Sequence, residues 1–278
     1  MIVMYQNGER GKIMNENTNF AMQTLYSSKE NLKILSGTIN ALEVETQDKK
    51  KVDCAIVYYN HIKILIPIHE MNIEQERKYL RNMLGAKIDF VILEIDELRE
   101  CAVASRKKAM EIKQKIEFNK HYEGDRVKAT VIAVGIKHIK INCLGIDLNL
   151  RIDDLAYGYI QDVNEFYSVG DVIPVKILEI DKENNKLKVS AKELLEDPYK
   201  NIRIYFTEGG EYVGTITGYA PNGVYIKLMQ GVDAAAIIPI WMNKSPNIGD
   251  SVAVRIYEID VKKRKIYCSL LRVIKEKK

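Results

Sequence analysis

One stretch of residues occurs three times in this chain, and its spacing limits the folds that the chain can adopt. The copies read GAKIDFVILEID from Gly85 to Asp96, GDVIPVKILEID from Gly170 to Asp181 and GDSVAVRIYEID from Gly249 to Asp260. Successive copies begin about eighty residues apart, which is the size of a small folding unit. We therefore expect three repeated units to fill nearly all of the chain after its first thirty-odd residues.

Each copy has the alternation of a β-strand. Apolar residues occupy the third, fifth and seventh positions after the glycine, and Ile95, Ile180 and Ile259 then fall out of phase. A period of two predicts a strand, and the phase shift predicts a bulge near its end. A serine stands nine residues beyond each aspartate, across a charged turn and a second alternating run. Each unit is therefore expected to close with a hairpin.

The third unit shows most clearly what precedes the hairpin. Tyr212 to Gly218, Gly223 to Leu228 and Val232 to Ile240 alternate as strands, and Asn222-Gly223 and Gln230-Gly231 between them are turn sequences. Three strands and a hairpin make five, the number that closes a small barrel of the OB type. The predicted fold class is all-β: three tandem five-stranded OB-fold antiparallel barrels with short connector helices.

The third unit also resembles a known RNA-binding family. Its sequence GEYVGTITGYAPNGVYIKL, the following GVD, the Gly-to-Asp strand and the closing hairpin are similar to the RNA-binding domain of bacterial small-subunit ribosomal protein S-one. The resemblance extends over three tandem copies from about Leu35 to Ile274, and it is most specific in the third. It implies a non-catalytic protein that binds single-stranded RNA with low sequence specificity, in translation or at the small ribosomal subunit.

The repeats and the sequence between them predict the domain organisation. Residues 1–34 are expected to form a flexible tail, with a short helix around Phe20 to Tyr26 as its one periodic segment. The remaining segments are a degenerate first OB domain at 35–105, a basic helical linker at 106–122, a second OB domain at 123–195, a linker at 196–205 and a third OB domain at 206–274.

Charge and composition permit a nucleic-acid partner without demanding one. The net charge is +4 and the pI is about 8.6, whereas domains that depend on charge alone are usually more basic. No apolar run approaches the roughly eighteen residues needed to cross a membrane, and no secretory signal is recognisable. The four cysteines are scattered without a metal-binding spacing. We expect a cytoplasmic protein without a cofactor or metal.

The resemblance implies where RNA would lie in the third unit. Family members hold it with two aromatic residues on the second strand, a histidine ending the third strand, and an acid and a cation at the last hairpin. Tyr225 takes the second aromatic position and Asn222 the first, for which Tyr219 is a substitute. The histidine position falls near Ile237 or Pro239. The hairpin pair is Asp260 with Lys265.

The alternation within the second strand supports this role for Tyr225. Val224, Ile226 and Leu228 are expected to fill the barrel, which directs Tyr225 and Lys227 outward. An exposed tyrosine beside a lysine offers a base both a π-face and a cation. The competing interpretation is that Tyr225 packs beneath the segment Lys200 to Phe206.

In the second unit the same positions carry charge instead of aromatic rings. Lys137 and Lys140 occupy the two aromatic positions, Arg151 the histidine position, and Asp181 with Lys186 the hairpin pair; His138 lies between the lysines. Such cations would follow a phosphodiester backbone without distinguishing bases. The alternative is an ordinary solvated strand face.

The first unit departs furthest from the pattern. Pro67 takes the histidine position and Cys101 the basic one, and no aromatic residue aligns on its second strand. We expect this unit to serve packing or a protein contact. A catalytic site is not expected, because no nucleophile with a base, metal cluster or phosphate loop is recognisable. The alternative function is an OB-fold scaffold for protein interaction, or a single-stranded DNA binder that has lost RNA binding.

Overall fold

Three successive five-stranded units make up most of the chain. The computed structural model describes residues 16–47, 50–158, 160, 162–220, 223–239 and 246–276. The first unit consists of β1 Leu35–Gln47, β2 Lys50–Tyr59, β3 Ile62–Pro67, β4 Lys87–Asp96 and β5 Cys101–Ser105. The second consists of β6 Arg126–Val134, β7 His138–Cys143, β8 Ile146–Arg151, β9 Val172–Asp181 and β10 Lys186–Ser190. The third consists of β11 Glu211–Ala220, β12 Gly223–Met229, β13 Val232–Ile237, β14 Ser251–Asp260 and β15 Lys265–Lys275.

The first and third units are closed barrels with the strand order first, second, third, fifth, fourth. Their neighbours are antiparallel except for the third and fifth strands, which run parallel where the barrel closes. The predicted fold class of three tandem five-stranded OB-type units is confirmed, with two of the three sheets closed, and the parallel pair is an addition to the prediction. We call the units barrels one, two and three.

Barrel two has the same order but is an open sheet, β10-β9-β6-β7-β8. The third and fifth strands, β8 and β10, are not paired with each other here. The short helix α4, Ile152–Leu155, follows β8 directly and contacts β10 instead. The carbonyl of Asp154 accepts hydrogen bonds from the Ser190 hydroxyl at 3.0 Å and the Ala191 N–H at 2.9 Å. The backbone groups at the open edge are thereby partly satisfied.

The repeated Gly-to-Asp stretch forms the fourth strand of each barrel, as predicted. The predicted bulge is also present, because the register slips by one residue at Leu93, Leu178 and Tyr257. Before the bulge the inward side chains are buried, and each barrel has its own apolar core. Three separate cores agree with the three repeats.

The segment expected to be a flexible tail differs from that prediction. Residues Glu16–Asn31 form helix α1, which packs against β4. Ala21 and Leu25 are fully buried in the core of barrel one. The Ser28 hydroxyl donates to the Lys33 carbonyl at 2.6 Å and accepts from the Ile92 N–H at 3.1 Å. The first fifteen residues of the tail lie outside the described part of the chain.

The other helices connect or cover the barrels: α2 Arg77–Arg81, α3 Arg106–Glu117 and α5 Ile202–Tyr205. Helix α3 continues directly from β5, and the Ser105 side chain caps it by accepting from the Lys108 N–H at 3.0 Å. None of the helices in the described ranges has the length and apolar character of a membrane span.

Candidate nucleic-acid interface

Strand register identifies one equivalent row of outward side chains on each barrel. In barrel three, Tyr225 lies opposite Ala235 on β13, and Ala235 lies opposite Tyr267 on β15. Paired residues in a sheet project to the same face, so these three side chains form a continuous outer row. The corresponding rows are Ile56, Leu65 and Val103 in barrel one and Lys140, Asn149 and Lys188 in barrel two.

Tyr225 is directed away from the core of barrel three. Its neighbours Val224 and Ile226 are fully buried, whereas Tyr225 is 45% exposed. Gly218 lies opposite it on β11, and a Cβ added there would come 3.9 Å from the tyrosine ring. The residue opposite Tyr225 on β11 therefore has no side chain that could cover the tyrosine ring. The outward orientation of Tyr225 and Lys227 that the alternation predicts is present.

Two cations line one side of this tyrosine row. Lys227 follows Tyr225 by two residues and Lys265 precedes Tyr267 by two, which places both lysines on the same side because β12 and β15 run in opposite directions. Both are exposed, and neither forms an ion pair with another residue in the described ranges. Asp233 on β13 lies opposite Lys227, between the two lysines, so the barrel offers aromatic faces beside two cations and one carboxylate.

The other two aromatic-position candidates of barrel three have different surroundings. The hydroxyl of Tyr219, an exposed residue on β11, donates to the Pro246 carbonyl at 3.1 Å. This bond holds the hydroxyl edge of the Tyr219 ring in place, while the faces of the ring remain exposed to solvent. Asn222 lies outside the described residues.

The predicted cations of barrel two come together at one end of its outer row. His138 lies opposite Arg151, Lys140 follows His138 by two residues on the same face, and Lys137 sits in the preceding turn. Lys137, His138 and Arg151 are exposed and Lys140 is half-buried. None of the four has an ion-pair partner in the part of the chain that the structure describes. The charges of Lys137, Lys140 and Arg151 are therefore available to an external anion.

The hairpin acids have a structural role that the sequence analysis missed. The Asp181 carboxylate accepts from the Glu183 and Asn184 N–H groups at 3.1 and 3.0 Å, and Asp260 accepts from the Lys263 N–H at 2.9 Å. Hydrogen bonds from Asn184 lower the pKa of Asp181, and the bond from the Lys263 backbone lowers the pKa of Asp260. Both acids therefore close their turns, beside the exposed Lys186 and Lys265 that lie opposite them.

Barrel one presents neither rings nor free cations on its outer row. Ile56 is fully buried, and Leu65 and Val103 are half-buried. The nearby Lys63 is neutralised by Glu43 at 2.5 Å and Glu45 at 3.5 Å. An aliphatic row beside carboxylates is unsuited to a polyanion, in agreement with the degenerate sequence of this unit.

The first junction between barrels is built around a buried ion pair. Arg106 at the start of α3 is 1% exposed, and its two Nη atoms lie 3.0 and 2.7 Å from the Asp147 carboxylate on β8. The guanidinium also donates to the Met71 carbonyl at 2.9 Å, and the Asn142 side chain donates to Asp147 at 2.7 Å. These bonds connect barrel one, α3 and barrel two.

The second junction is held by Arg264 at the tip of the last hairpin. Its guanidinium forms two hydrogen bonds with Asp197, at 2.8 and 2.9 Å. The guanidinium carbon lies 5.0 Å from the ring centroid of Tyr157 and 4.7 Å from that of Tyr199. An arginine between two rings and a carboxylate fixes barrel three to the loop and linker of barrel two.

The cysteines offer no reactive thiol at this interface. Burial raises the pKa of Cys54 to about 11 and those of Cys143 and Cys268 to about 12, and it also raises the pKa of Cys101. Across the described ranges, no group of three or more His, Cys, Asp or Glu side chains is arranged to hold a metal ion.

Sequence reasoning missed Lys188 and Tyr267 in the outer rows, and Tyr257 beside the third row. The burial of Ile266 and Cys268 on either side of Tyr267 already implies that this tyrosine points outward. Tyr257 is the extra residue of the third bulge, and its ring stacks on Tyr267 with centroids 6.2 Å apart and planes 23° apart. Their partnership depends on strand pairing, which the repeats do not specify residue by residue.

Comparison with known proteins identifies the family of the central segment. Residues 120–192 match the S1 RNA-binding domain. This segment contains all five strands of barrel two, the barrel with the lysine row.

Proteins of two kinds are similar to a larger part of the chain. Small ribosomal subunit protein bS1 of Pseudomonas aeruginosa is 27% identical over 219 residues, covering 74% of this chain and 39% of that protein. 4-hydroxy-3-methylbut-2-enyl diphosphate reductase of Clostridium acetobutylicum is 27% identical over 231 residues, covering 78% of this chain and 36% of that protein. This chain thus spans less than half the length of either relative.

A solved structure of a multidomain protein with nucleic acid binding domains from Streptococcus pneumoniae is also similar. It is 11% identical, with a TM-score of 0.22, and the match covers 86% of this chain and 73% of that one.

Proposed function

We propose that this chain binds single-stranded RNA with little sequence preference, and that barrels two and three contribute in different ways. The observation that carries the proposal is the contrast between equivalent rows. Barrel two has Lys140, Asn149 and Lys188, of which Lys188 is paired with Glu179, whereas barrel three has Tyr225, Ala235 and Tyr267. Barrel two would neutralise phosphates, and barrel three would stack bases. The match of residues 120–192 to the S1 RNA-binding domain supports the choice of RNA.

The two contributions have different physical origins. Stacking of a base on an exposed aromatic ring contributes roughly 1 to 3 kcal/mol and tolerates any base, because every base has a π-face. Lysine and arginine side chains release counterions from the phosphate backbone, which makes binding dependent on salt. Neither contribution reads base edges, so the combination predicts affinity without sequence specificity.

Barrel one would have a different role in this proposal. The carboxylates of Glu43 and Glu45 around Lys63 would repel a phosphate backbone, and its aliphatic row provides no ring for base stacking. We assign it to packing or to contact with another protein. The proposed units are residues 35–105, 123–195 and 206–274.

The proposal describes a non-catalytic, cytoplasmic binding protein. The names of the ribosomal relatives make the small ribosomal subunit a candidate partner. Cosedimentation of the protein with purified small subunits, compared at low and high salt, tests that association.

The experiment that tests the proposal is a fluorescence anisotropy titration with an unstructured oligouridylate and with the deoxy oligonucleotide of the same length. We expect saturable binding of the RNA, weaker binding of the DNA, and a loss of roughly 1 to 3 kcal/mol for Tyr225→Ala at unchanged thermal stability. Equal affinity for the RNA and the DNA oligonucleotide would indicate a protein that binds single strands of either kind. Absence of binding to either would favour a protein-interaction scaffold.

Tyr58→Ala is the matched control. Tyr58 lies on the second strand of barrel one and is 54% exposed, similar to Tyr225. It should leave RNA binding unchanged. If Tyr225→Ala instead lowers the unfolding temperature and binds as the wild type does, Tyr225 is a packing residue.

A further inference from the structure

A gap between two tyrosines crosses the outer face of barrel three. Tyr225 and Tyr267 lie on β12 and β15, and Ala235 on β13 lies between them in the same row. Neighbouring strands are about 4.8 Å apart, so the two tyrosine Cα atoms are separated by roughly 10 Å across a floor formed by one methyl group. This spacing leaves room for a flat ring between the two side chains.

The floor of the gap at Ala235 is bounded along β13 by larger residues, Asp233 on one side and Ile237 on the other. Ile237, the next outward residue on β13, lies opposite Gly223 on β12 and Ser269 on β15. Between the tyrosines the low position is therefore Ala235, whereas Gly223 and Ser269 lie in the next row beside Ile237, which is 63% exposed. A planar ligand can approach the sheet there more closely than at a position with a long side chain.

Tyr257 enlarges the far wall of the gap. Its ring stacks on that of Tyr267, with the planes 23° apart, and it remains 51% exposed. Two stacked rings leave one face of each for a further partner. The pair can therefore receive one base at the gap and another on the outer side.

The other barrels show that neither tyrosine is required by the fold. The bulge position of Tyr257 is Leu93 in barrel one and Leu178 in barrel two, and the position of Tyr267 is Val103 and Lys188. The same hairpin and bulge form with aliphatic or charged residues there. The tyrosines are thus an addition specific to the barrel that also carries Tyr225.

We infer that Tyr225, Tyr267 and Tyr257 form one base-binding site, in which a base of single-stranded RNA enters the gap and the next stacks on the tyrosine pair. This inference rests on the proposed RNA binding and extends it to residues that the resemblance does not include. Lys227 and Lys265 on one side of the row would hold the adjoining phosphates.

The test uses substitutions that the other barrels already contain, Tyr257→Leu and Tyr267→Val, in the full chain. Binding of an oligouridylate carrying a fluorescent base analogue, whose emission falls on stacking, is measured for both variants and for Tyr225→Ala. We expect each substitution to weaken binding roughly five- to a hundredfold and to reduce the quenching of the analogue. Thermal unfolding confirms that the variants are folded, and Tyr58→Ala is the control.

The outcomes separate this inference from the proposed function. If Tyr225→Ala weakens binding while Tyr257→Leu and Tyr267→Val bind and quench as the wild type does, the extended site is wrong and the proposed function stands. If the wild type binds no RNA, the proposed function itself is overturned. If Tyr267→Val does not fold, Tyr257→Leu alone tests the inference, because Tyr257 is the more exposed of the two rings. Wild-type RNA binding by Tyr257→Leu would then overturn the inference.

Discussion

Arg106 joins the first two barrels through a charge that the folded chain removes almost completely from water. Its partner Asp147 has only 9% of its side chain exposed and also accepts from Asn142. Removing a buried cation leaves the remaining carboxylate without compensation, which costs more than the pair contributes when intact. The sequence marks Arg106 only as the first basic residue of a lysine-rich linker, so its burial is not predictable from composition.

The first prediction is that Arg106→Met destabilises the chain by roughly 3 to 5 kcal/mol. Chemical denaturation followed by circular dichroism measures the change. Arg255→Met is the control, because Arg255 and Glu211 form an ion pair with both side chains more than half exposed, and its loss should cost less than about 1 kcal/mol. Equal stability of the two variants would show that the Arg106 ion pair does not hold the junction.

At the scale of elements, strands were easier to predict than helices. The alternation and the phase shift in each copy of the repeat depend on local sequence, and they predicted β4, β9 and β14 with their bulges. Only the middle of helix α1, around Phe20 to Tyr26, was predicted, because the helix buries only a narrow stripe that includes Ala21, Leu25 and Ser28. The stability of helix α1 depends on packing against β4, which lies some sixty residues later in the chain. A local sequence pattern cannot indicate so distant a partner.

The second prediction is that Leu25→Ala destabilises barrel one by roughly 2 to 5 kcal/mol, because Leu25 is fully buried in its core. Phe20→Ala on the same helix should have little effect, since Phe20 is 67% exposed. Thermal unfolding of both variants measures the difference. If Leu25→Ala unfolds at the wild-type temperature, Leu25 does not stabilise the core of barrel one, and the flexible tail predicted from the sequence is the better description of this segment.

In the whole molecule, the turn between the second and third strands packs against the linker that precedes the barrel, in both barrel two and barrel three. A Cβ at Gly145, between β7 and β8, would come 2.7 Å from the Met110 carbonyl of α3, and one at Gly231, between β12 and β13, would come 3.1 Å from the Pro198 side chain in the linker. Both glycines have φ near +80°, which favours glycine in these close approaches. In the proposed function, this docking would set the order in which the lysine row and the tyrosine row meet an RNA strand.

The third prediction concerns the Arg264 contact at the second junction. Arg264→Ala should loosen barrel three from barrel two, seen as a larger radius of gyration in X-ray scattering and faster proteolysis at residues 196–205. Arg264 lowers the pKa of Asp197, so the pair stabilises the junction above the ordinary aspartate pKa and weakens as the pH falls below about 4. Arg272→Ala is the control. Wild-type scattering and proteolysis for Arg264→Ala would contradict this role.

The division of labour between barrels two and three is tested most directly by the slope of log affinity against log salt for an oligouridylate. We predict that replacing Lys137, Lys140 and Arg151 with alanine makes the slope shallower by about 2, because each cation contributes about 0.7 on a single strand. Tyr225→Ala should weaken binding at every salt concentration and leave the slope unchanged. Replacing the exposed Lys107, Lys108 and Lys115 of α3 with alanine removes the same charge as a control and should retain the wild-type slope. A wild-type slope for the barrel-two variant would contradict the division of labour.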